Sequence, residues 1–333
     1  MGKLYAISGV TGMTGNELVR QILLPESTDH ILGFDNFYAS SIDTVADHIQ
    51  DERFEFFEYD LTDKEHMQNF ASRVMAAGKA YEEIIYINCA AVVHTEHFYH
   101  VYETFPTNVE GMNDFLQQAI RVGAKKFINC STSEVYSMNS WNEHGGVKES
   151  DYITMAVAEH SQRTSYAAGK LLTEFFMKDA VDEGKIKGCS IRFANVYSKN
   201  ERYPKHIIPY IINSFREQGK VVLLENSRKN RRTFLHNYDS CSAVLALVAT
   251  DTALDGSVYN VATDEEISIM DLAKLCAEKM GIENPVIEFQ GYRESDPERR
   301  LLSTEKIRAR TSWQPVVKLS AGLDECIASY LQK

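Results

Sequence analysis

The sequence predicts an α/β fold built on a doubly wound parallel sheet, with a smaller C-terminal lobe that binds substrate. Short β-type runs alternate with helical patterns in the first half of the 333 residues, a glycine-rich turn follows the first run, and the pattern becomes irregular after Asn195. Strand–helix alternation implies parallel pairing, right-handed crossovers and helices on both faces. We therefore expect a Rossmann-type, dinucleotide-binding domain in residues 1–195. Residues 196–333 should form mainly the substrate lobe, with some segments returning to the first domain.

The individual elements follow from the spacing of apolar residues. Strands are predicted where short apolar runs occur, at residues 4–8, 30–34, 54–58, 84–88, 126–130 and 189–193. Helices are predicted where apolar residues recur with helical spacing, at residues 17–24, 64–76, 109–121, 166–183, 207–218, 270–280 and 320–331. The carboxyl ends of parallel strands share one edge of the sheet, and ligand clefts of open α/β sheets form there.

Composition and charge exclude several classes of protein. A formal net charge of −12 argues against a surface that binds nucleic acid. The chain has no apolar stretch long enough to cross a bilayer and no signal peptide, so no membrane partner and a cytoplasmic location are expected. Its six cysteines are scattered without a CxxC pair, so we expect small buried side chains rather than disulfides or metal ligands.

The segment GVTGMTG, residues 9–15, follows the first predicted strand and opens the first helix. Its glycines allow a tight turn and close backbone approach, and a helix N-terminus offers free N–H groups to a pyrophosphate. Asp35 ends the second strand, where a carboxylate accepts hydrogen bonds from a ribose diol and repels a 2′-phosphate. No arginine accompanies it, so NAD is favoured over NADP. Asp60 ends the third strand, where we expect it to meet the adenine amino group.

A second motif carries reactive groups. Tyr166 and Lys170 are spaced i and i+4, which places them on one face of a predicted helix. The ammonium and a positive nicotinamide would together lower the pKa of the phenol towards a value useful for proton transfer. A tyrosine–lysine pair at this spacing is common by chance. Thr132 strengthens the interpretation, because its hydroxyl at the end of the fifth strand can bridge a substrate oxygen and the tyrosine.

With these motifs, the sequence resembles the extended short-chain dehydrogenase/reductase family, in particular its sugar-nucleotide epimerases and dehydratases, over nearly the whole chain. The resemblance implies a retained NAD that oxidises a sugar hydroxyl, usually at C4, and later returns the hydride. It also implies a catalytic set of Thr132, Tyr166 and Lys170, with Asn108 supporting the site from behind. The residues then expected to bind the cofactor are Gly9, Thr11, Gly12, Met13, Thr14, Gly15, Asp35, Asn36, Phe37, Asp60, Leu61, Cys89, Ala90, Ala91, Asn108, Tyr166 and Lys170.

The same resemblance assigns substrate contacts in the second half. Asn195, Arg232 and Arg293 match positions that hold the nucleotide diphosphate, which suits guanidinium groups because they bind phosphate oxygens bidentately. His94 lies in the loop after the fourth strand, where family members place sugar contacts. Two further histidines follow it at intervals of three residues, but no carboxylate–cysteine set completes a metal site, so no metal is expected.

Glu134 bears on which reaction occurs. A simple 4-epimerase needs only the hydroxyl, tyrosine and lysine, whereas a carboxylate here could act as a base once a C4 ketone has acidified the neighbouring C5–H. The stretch STSE, residues 131–134, resembles that of GDP-mannose 4,6-dehydratases and UDP-glucuronate decarboxylases, in which Ser and Glu take part in chemistry. Ser133 and Glu134 are therefore further catalytic candidates. A purely structural role for Glu134 stays open, as does the choice between epimerase, dehydratase and decarboxylase.

Two other interpretations remain open, namely a non-sugar reductase on the same fold and a regulator that binds NAD without catalysis. The diphosphate arginines count against the first, and the tyrosine–lysine pair counts against the second. Family resemblance further implies a homodimer in which helices 109–121 and 166–183 form a four-helix bundle. Residues 138–164 form a longer segment than in minimal epimerases, and we expect it to reshape the sugar pocket.

Overall fold

A computed structural model describes residues 2–98, 100–136, 145–155, 164–201, 203–293 and 296–331. In the first part of the chain, strands and helices alternate in the order β1 (Lys3–Ser8), α1 (Met13–Leu23), β2 (His30–Asp35), β3 (Phe54–Glu58), α2 (Lys64–Gly78), β4 (Glu83–Asn88), α3 (Val101–Phe105), α4 (Met112–Arg121), β5 (Lys126–Thr132), α5 (Thr164–Asp182) and β6 (Lys187–Phe193). The remainder contains β7 (Asn195–Tyr197), α6 (Ile207–Gln218), β8 (Lys220–Leu223), β9 (Arg231–His236), α7 (Asn237–Val248), β10 (Asp255–Val261), β11 (Glu266–Ser268), α8 (Ile269–Lys279), β12 (Val286–Phe289), β13 (Arg299–Arg300), α9 (Glu305–Thr311) and α10 (Leu319–Leu331).

Seven parallel strands form the central sheet, in the order β10-β6-β5-β4-β1-β2-β3. The chain runs outward in one direction from β1 to β3 and then crosses back to β4, so the strand order reverses between β1 and β4. Ligands of doubly wound sheets bind beside such a reversal, at the carboxyl ends of the strands. The predicted Rossmann-type doubly wound fold is confirmed.

Helices cover both faces of this sheet and enclose two apolar clusters. On one face, α1 and α7 pack over a cluster that includes Leu18, Ile87 and Leu247. On the other face, α2, α4 and α5 pack over Phe70, Phe115 and further apolar residues of the strands. Because both faces are buried, the strands read as continuous apolar runs, which is why most of them could be located in the sequence.

The last third of the chain also builds smaller sheets. Strands β11, β9 and β13 form one sheet, which β7 joins by pairing with β9, and β12 pairs with β8. Helices α6, α8 and α10 pack around a separate apolar cluster that includes Ile211, Leu272 and Leu323. Within the described residues, no helix is both long enough and apolar enough to pass through a membrane.

The sequence-based elements were wrong at several places, and the longest omission is helix α7 (Asn237–Val248), where no helix was predicted. The prediction missed β10, the edge strand of the central sheet, which pairs with β6. Helix α1 begins at Met13 rather than at residue 17, within the glycine-rich segment 9–15. The predicted helix 109–121 begins as a π-helical segment, Pro106–Gly111, and becomes α-helical at Met112. Such π segments are often found at functional sites.

Candidate active site

The glycine turn after β1 has the geometry of a pyrophosphate cradle. Gly9 has a positive φ of 75°, and a Cβ atom there would lie 2.7 Å from the backbone nitrogen of Ala90. A Cβ atom on Gly15 would lie 2.1 Å from the carbonyl oxygen of Gly9. At Gly12 the Gly9 carbonyl oxygen, at 3.3 Å, is the one atom of the described residues within 4 Å of an added Cβ, so the other sides of this position are open to a ligand.

The start of α1 suits an anion. Gly12 is the N-cap, no side chain caps the helix, and its first turn contains no acidic residue. The exposed N–H groups and the positive end of the helix dipole are therefore available to a phosphate. Thr11, Met13 and Thr14 are held by backbone and side-chain contacts, including hydrogen bonds from Asn237 to the Met13 carbonyl and from Thr44 to the Thr11 carbonyl. These observations fit a dinucleotide.

Asp35 faces the same turn from the end of β2. Its carboxylate accepts hydrogen bonds from the backbone N–H groups of Thr11, at 3.1 Å, and of Phe37, at 2.9 Å. Phe37 has a positive φ of 59°, which lets the chain turn sharply around the carboxylate. A carboxylate oxygen beside the glycine turn is placed as a ribose acceptor requires.

The neighbouring residues on the adenine side are joined to one another. The amide of Asn36 donates to Asp60 at 2.8 Å, and Thr62 donates from both its backbone N–H and its hydroxyl to the other carboxylate oxygen. Burial raises the pKa of Asp60, but the hydrogen bonds from Thr62 and Asn36 outweigh it and lower the pKa below its ordinary value. The side chain of Leu61 is buried in the core against Gly111, so only its backbone faces a cofactor.

The loop after β4 is fixed by Asn108, which lies in the π-helical segment. Its amide accepts from the N–H of Val92 at 2.7 Å and donates to the carbonyl of the same residue at 3.0 Å. At the start of the loop, the Ala90 N–H donates to the Ser8 hydroxyl at 3.2 Å. Residues Cys89 to Ala91 are thereby held beside the glycine turn. Asn108 acts on the site through this loop.

The tyrosine, lysine and threonine of the predicted catalytic set come together at the end of β5. The Thr132 hydroxyl is close enough to Tyr166 to lower the pKa of its phenol, and Lys170 donates from Nζ to the Cys130 carbonyl at 2.9 Å. All three are buried, and Lys170 is only 2% exposed. The ring of Phe98 stacks on that of Tyr166 at a centroid distance of 4.2 Å. No sequence motif pointed to Phe98.

Burial has the largest effect on the pKa values of Tyr166 and Lys170. It raises the pKa of the Tyr166 phenol above its ordinary value, and the Glu134 carboxylate raises it further, while the hydrogen bond to Thr132 acts in the opposite direction. Burial also lowers the pKa of the Lys170 ammonium. The groups of the protein therefore raise the phenol pKa rather than lower it as the sequence predicted.

Glu134 lies in the 3₁₀ turn Ser133–Tyr136, directly after β5. Its N–H donates to the Thr132 hydroxyl oxygen at 3.2 Å, which fixes the spacing between this carboxylate and the catalytic hydroxyl. Its side chain accepts from the Arg300 guanidinium at 2.6 Å, and both side chains are largely buried. This ion pair holds the Glu134 carboxylate in place. Ser133 is half-buried in the same turn.

The predicted diphosphate residues lie in different surroundings. Arg232 is buried and pairs with Asp296 at 2.9 Å, and Arg300 stands beside it on the neighbouring strand, 3.7 Å from the same carboxylate. The Asn195 amide donates to the Thr233 carbonyl at 3.2 Å. The Arg293 side chain is exposed, and its backbone is held by Asn226.

A buried ion pair supports the strands and helix that carry the catalytic set. Glu174 accepts from Arg192 at 2.6 and 2.9 Å and from the Ser131 hydroxyl at 2.6 Å. This network joins β5, β6 and α5. Replacing Arg192 with methionine leaves the Glu174 carboxylate buried without its cation, and we expect a loss of about 3–5 kcal/mol in the free energy of unfolding.

Urea unfolding measures this loss, and R73M is the matched control. Arg73 pairs with Glu55 at 2.6 Å on the surface, with side chains 46% and 35% exposed. Its replacement should cost less than about 1 kcal/mol. Equal losses for the two variants would show that the buried pair has no special structural role.

Comparison with known proteins gives the family. The model of the NAD-dependent epimerase/dehydratase family matches residues 5–262. The chain belongs to this family. Its cofactor is NAD, in agreement with the prediction from the glycine turn and Asp35.

Individual relatives are distant but cover the whole chain. The low-salt glycan biosynthesis protein Agl12 of Haloferax volcanii is 25% identical to this chain. The match covers 98% of this chain and 97% of the length of Agl12. UDP-glucuronic acid decarboxylase 4 of Arabidopsis thaliana is 23% identical, over 98% of this chain and 68% of its own.

The structure of DesIV, a dTDP-glucose 4,6-dehydratase from Streptomyces venezuelae with NAD and TYD bound, superposes with a TM-score of 0.84. It is 21% identical and covers 99% of this chain and 97% of its own, so the likeness shows the fold. Sugar-nucleotide dehydratases, epimerases and decarboxylases all occur among the similar proteins. The family prediction is confirmed, and the particular reaction has to be argued from the site.

The segment 138–164, expected to reshape the sugar pocket, lies largely outside the described residues. His94 is described, and its ring stacks on Tyr203 at 4.2 Å. This contact places His94 where the loop after β4 meets the second half of the chain.

Proposed function

We propose that this chain oxidises a hydroxyl group on the sugar of a nucleotide-diphosphate sugar to a ketone and reduces the same molecule later in the cycle. The observation that carries this proposal is the placement of three buried polar side chains, Thr132, Tyr166 and Lys170, at the carboxyl end of β5, where the Thr132 hydroxyl is close enough to lower the pKa of the Tyr166 phenol. Two hydroxyls in contact can both bind one sugar oxygen. Residues 1–195 hold the cofactor in this proposal, and residues 196–333 mainly hold the substrate.

The proton of the sugar hydroxyl passes to Tyr166, and Thr132 fixes the oxygen beside it. Bound beside these residues, NAD would supply the hydride acceptor and a positive ring that favours the ionised phenol. Lys170 adds a second positive charge in the same buried region, held in place by the Cys130 carbonyl. In such a site, general acid–base catalysis contributes about 10²–10⁴ to the rate.

Glu134 favours elimination of water over simple epimerisation. Arg300 donates to its carboxylate, and the hydrogen bond from the Glu134 N–H to the Thr132 hydroxyl oxygen places Glu134 beside the group that would fix the sugar oxygen. Once a ketone is formed, the hydrogen on that neighbouring carbon is acidic enough for a carboxylate to remove. We therefore propose a 4,6-dehydratase type of reaction, with Glu134 as the base and Ser133 as a further polar contact to the sugar.

Decarboxylation is the second candidate, and Arg300 is the observation that favours it. A guanidinium beside the catalytic hydroxyls can bind a carboxylate on the sugar, and the resulting ketone then allows carbon dioxide to leave without a protein base. The relatives include UDP-glucuronic acid decarboxylases. In this reaction Glu134 would serve only to hold Arg300.

The diphosphate is proposed to bind near Arg232 and Asn195. Arg232 is held in the lobe by an ion pair with Asp296. The pair fixes the position of the guanidinium and partly compensates its positive charge. Arg293 is exposed and would have to turn inward to contribute. His94, at the loop after β4, remains a candidate sugar contact.

A panel of UDP-, dTDP-, GDP- and CDP-sugars, followed by product mass, tests the proposal. A dehydratase gives a product lighter by one water, a decarboxylase one lighter by carbon dioxide, and an epimerase one of unchanged mass. E134Q should cripple a dehydratase and leave an epimerase nearly unaffected. If no sugar nucleotide is altered while NAD remains bound, the enzyme proposal is wrong and a regulator that only binds NAD is favoured.

We also propose a homodimer. Large apolar side chains are exposed on two helices that pack together, with Tyr102 93% exposed on α3 and Phe175 57% exposed on α5. The exposed apolar residues thus lie on α3 rather than on α4. Sedimentation of the wild type and of F175E tests this proposal, because a charge at the interface should give monomers.

A further inference from the structure

The loop after β4 brings together three potential metal ligands, His94, Glu96 and His97. One ligand atom from each residue lies within 4.8 Å of the other two. The cause is local, because Thr95–His97 forms a 3₁₀ turn in which the N–H of His97 donates to the His94 carbonyl at 3.0 Å. Residues three apart are eclipsed in such a turn, so both imidazoles project from one side, with ring centroids 6.3 Å apart.

His97 is oriented by a carboxylate. Its Nδ1 atom forms a close hydrogen bond with Glu103, and its Nε2 atom points at the hydroxyl of Tyr38, 3.0 Å away. Metal-binding histidines commonly donate from one ring nitrogen to a carboxylate, which fixes the tautomer and leaves the lone pair of the other nitrogen for the metal. Glu103 therefore selects Nε2 as the ligand atom.

The other two residues are held by the second half of the chain. The Oε2 atom of Glu96 accepts from the hydroxyl of Tyr203 and from Lys205, the latter at 3.3 Å. The ring of His94 lies on that of Tyr203 with an interplanar angle of 12°. All three side chains are thus oriented by neighbours, as a preformed site requires.

We propose that His94, Glu96 and His97 bind one divalent transition-metal ion such as Zn²⁺. Two imidazoles and a carboxylate suit an ion of borderline softness, and three protein ligands leave a fourth position for water or a substrate group. No metal site was predicted from the sequence because no carboxylate–cysteine set accompanies His94, His97 and His100. The missing ligand is Glu96, which lies between the two histidines.

The site adjoins the proposed catalytic tyrosine. Phe98 follows His97 directly, stacks on Tyr166, and accepts a hydrogen bond at its carbonyl from the Ser165 hydroxyl. A metal ion at this position fixes the segment that covers the phenol and so changes turnover. This effect on turnover rests on the proposed function, whereas metal binding itself does not.

The test is a titration of the full-length, chelator-treated protein with ZnCl₂ in competition with a chromophoric chelator. We expect one Zn²⁺ per chain. H94A and H97A should each weaken binding by more than about 100-fold, and E103Q by about 10- to 100-fold because it only orients His97. E96Q should weaken Zn²⁺ binding about as much as H94A and H97A do, because Glu96 is proposed as a direct ligand. Co²⁺ should give the intense visible absorption of a four-coordinate site.

H100A and H48A are the controls, because His100 lies exposed in the same segment and His48 lies far along the sequence. Both should bind Zn²⁺ like the wild type. Equal weakening by H100A and H97A would show non-specific binding by a histidine-rich segment and overturn the proposal. So would wild-type uptake no greater than that of the H94A/H97A double variant. Thermal unfolding and NAD content establish that each variant is folded. If H97A does not fold, H97N takes its place. Zinc binding with unchanged turnover would refute only the effect on Tyr166.

Discussion

Replacing Tyr166 with phenylalanine is expected to lower turnover of the sugar nucleotide by about 10²- to 10⁴-fold. The change removes only the hydroxyl that contacts Thr132, and leaves the ring against Phe98 and the core. NAD should therefore stay bound and the stability of the protein should change little. Steady-state kinetics and the NAD content of the purified variant are the two measurements.

The matched control is Y81F, since Tyr81 lies between α2 and β4, at the edge of the sheet opposite the catalytic set. Its activity should equal that of the wild type. If Y166F keeps near-wild-type turnover, Tyr166 does not transfer the proton and the catalytic assignment fails. If it loses NAD as well as activity, the hydroxyl serves cofactor binding rather than chemistry.

We expect alanine at Gly15 and alanine at Gly12 to have different effects on the protein. In G15A, the added Cβ would lie 2.1 Å from the Gly9 carbonyl oxygen, so the backbone must shift. We expect a loss of about 1–3 kcal/mol in stability together with loss of NAD. In G12A the added Cβ would lie 3.3 Å from the Gly9 carbonyl oxygen, a contact that a shift of a few tenths of an ångström relieves, so the loss of stability should be smaller than in G15A. The methyl group of G12A occupies the space proposed for the pyrophosphate and should weaken NAD binding at least about tenfold.

G281A controls for a glycine-to-alanine change away from the turn. Gly281 has a positive φ of 73° with nothing near an added Cβ, so the change should cost about 1–2 kcal/mol from backbone strain alone. NAD affinity should be unaffected. Calorimetric titration with NAD and thermal unfolding separate these outcomes. Unchanged NAD affinity in G12A would show that the cofactor does not approach the turn at that residue.

The parts of the site that could be predicted from sequence are the local ones. The glycine turn, Asp35 and the Tyr166–Lys170 spacing are each set within a few residues of chain, so their chemistry can be inferred before any fold is known. The buried strands were found for the same reason, because a strand covered on both faces is a short apolar run. Strand β10, DGSVYNV, is interrupted by small and polar residues, and its pairing with β6 determines its structure.

The remaining features depend on contacts between distant segments. Arg300 lies 166 residues from Glu134, and only the pairing of β13 with β9 brings it to the end of β5. The Phe98 ring over Tyr166 and the orientation of Glu96 by Tyr203 likewise join separate segments. The reversal of the expected phenol pKa has the same origin, because burial is a property of the folded chain and outweighs a favourable spacing.

Whether the product retains a deuterium label tests most directly the proposed oxidation and later reduction of one sugar-nucleotide molecule. A sugar nucleotide carrying deuterium on the carbon to be oxidised is converted in ordinary water, and the product is analysed by mass spectrometry. If the hydrogen leaves as a hydride and returns to the same molecule, the product keeps the deuterium, whether the net reaction is dehydration, decarboxylation or epimerisation. Loss of the deuterium to solvent would mean that this hydrogen leaves as a proton, and would contradict the proposed oxidation.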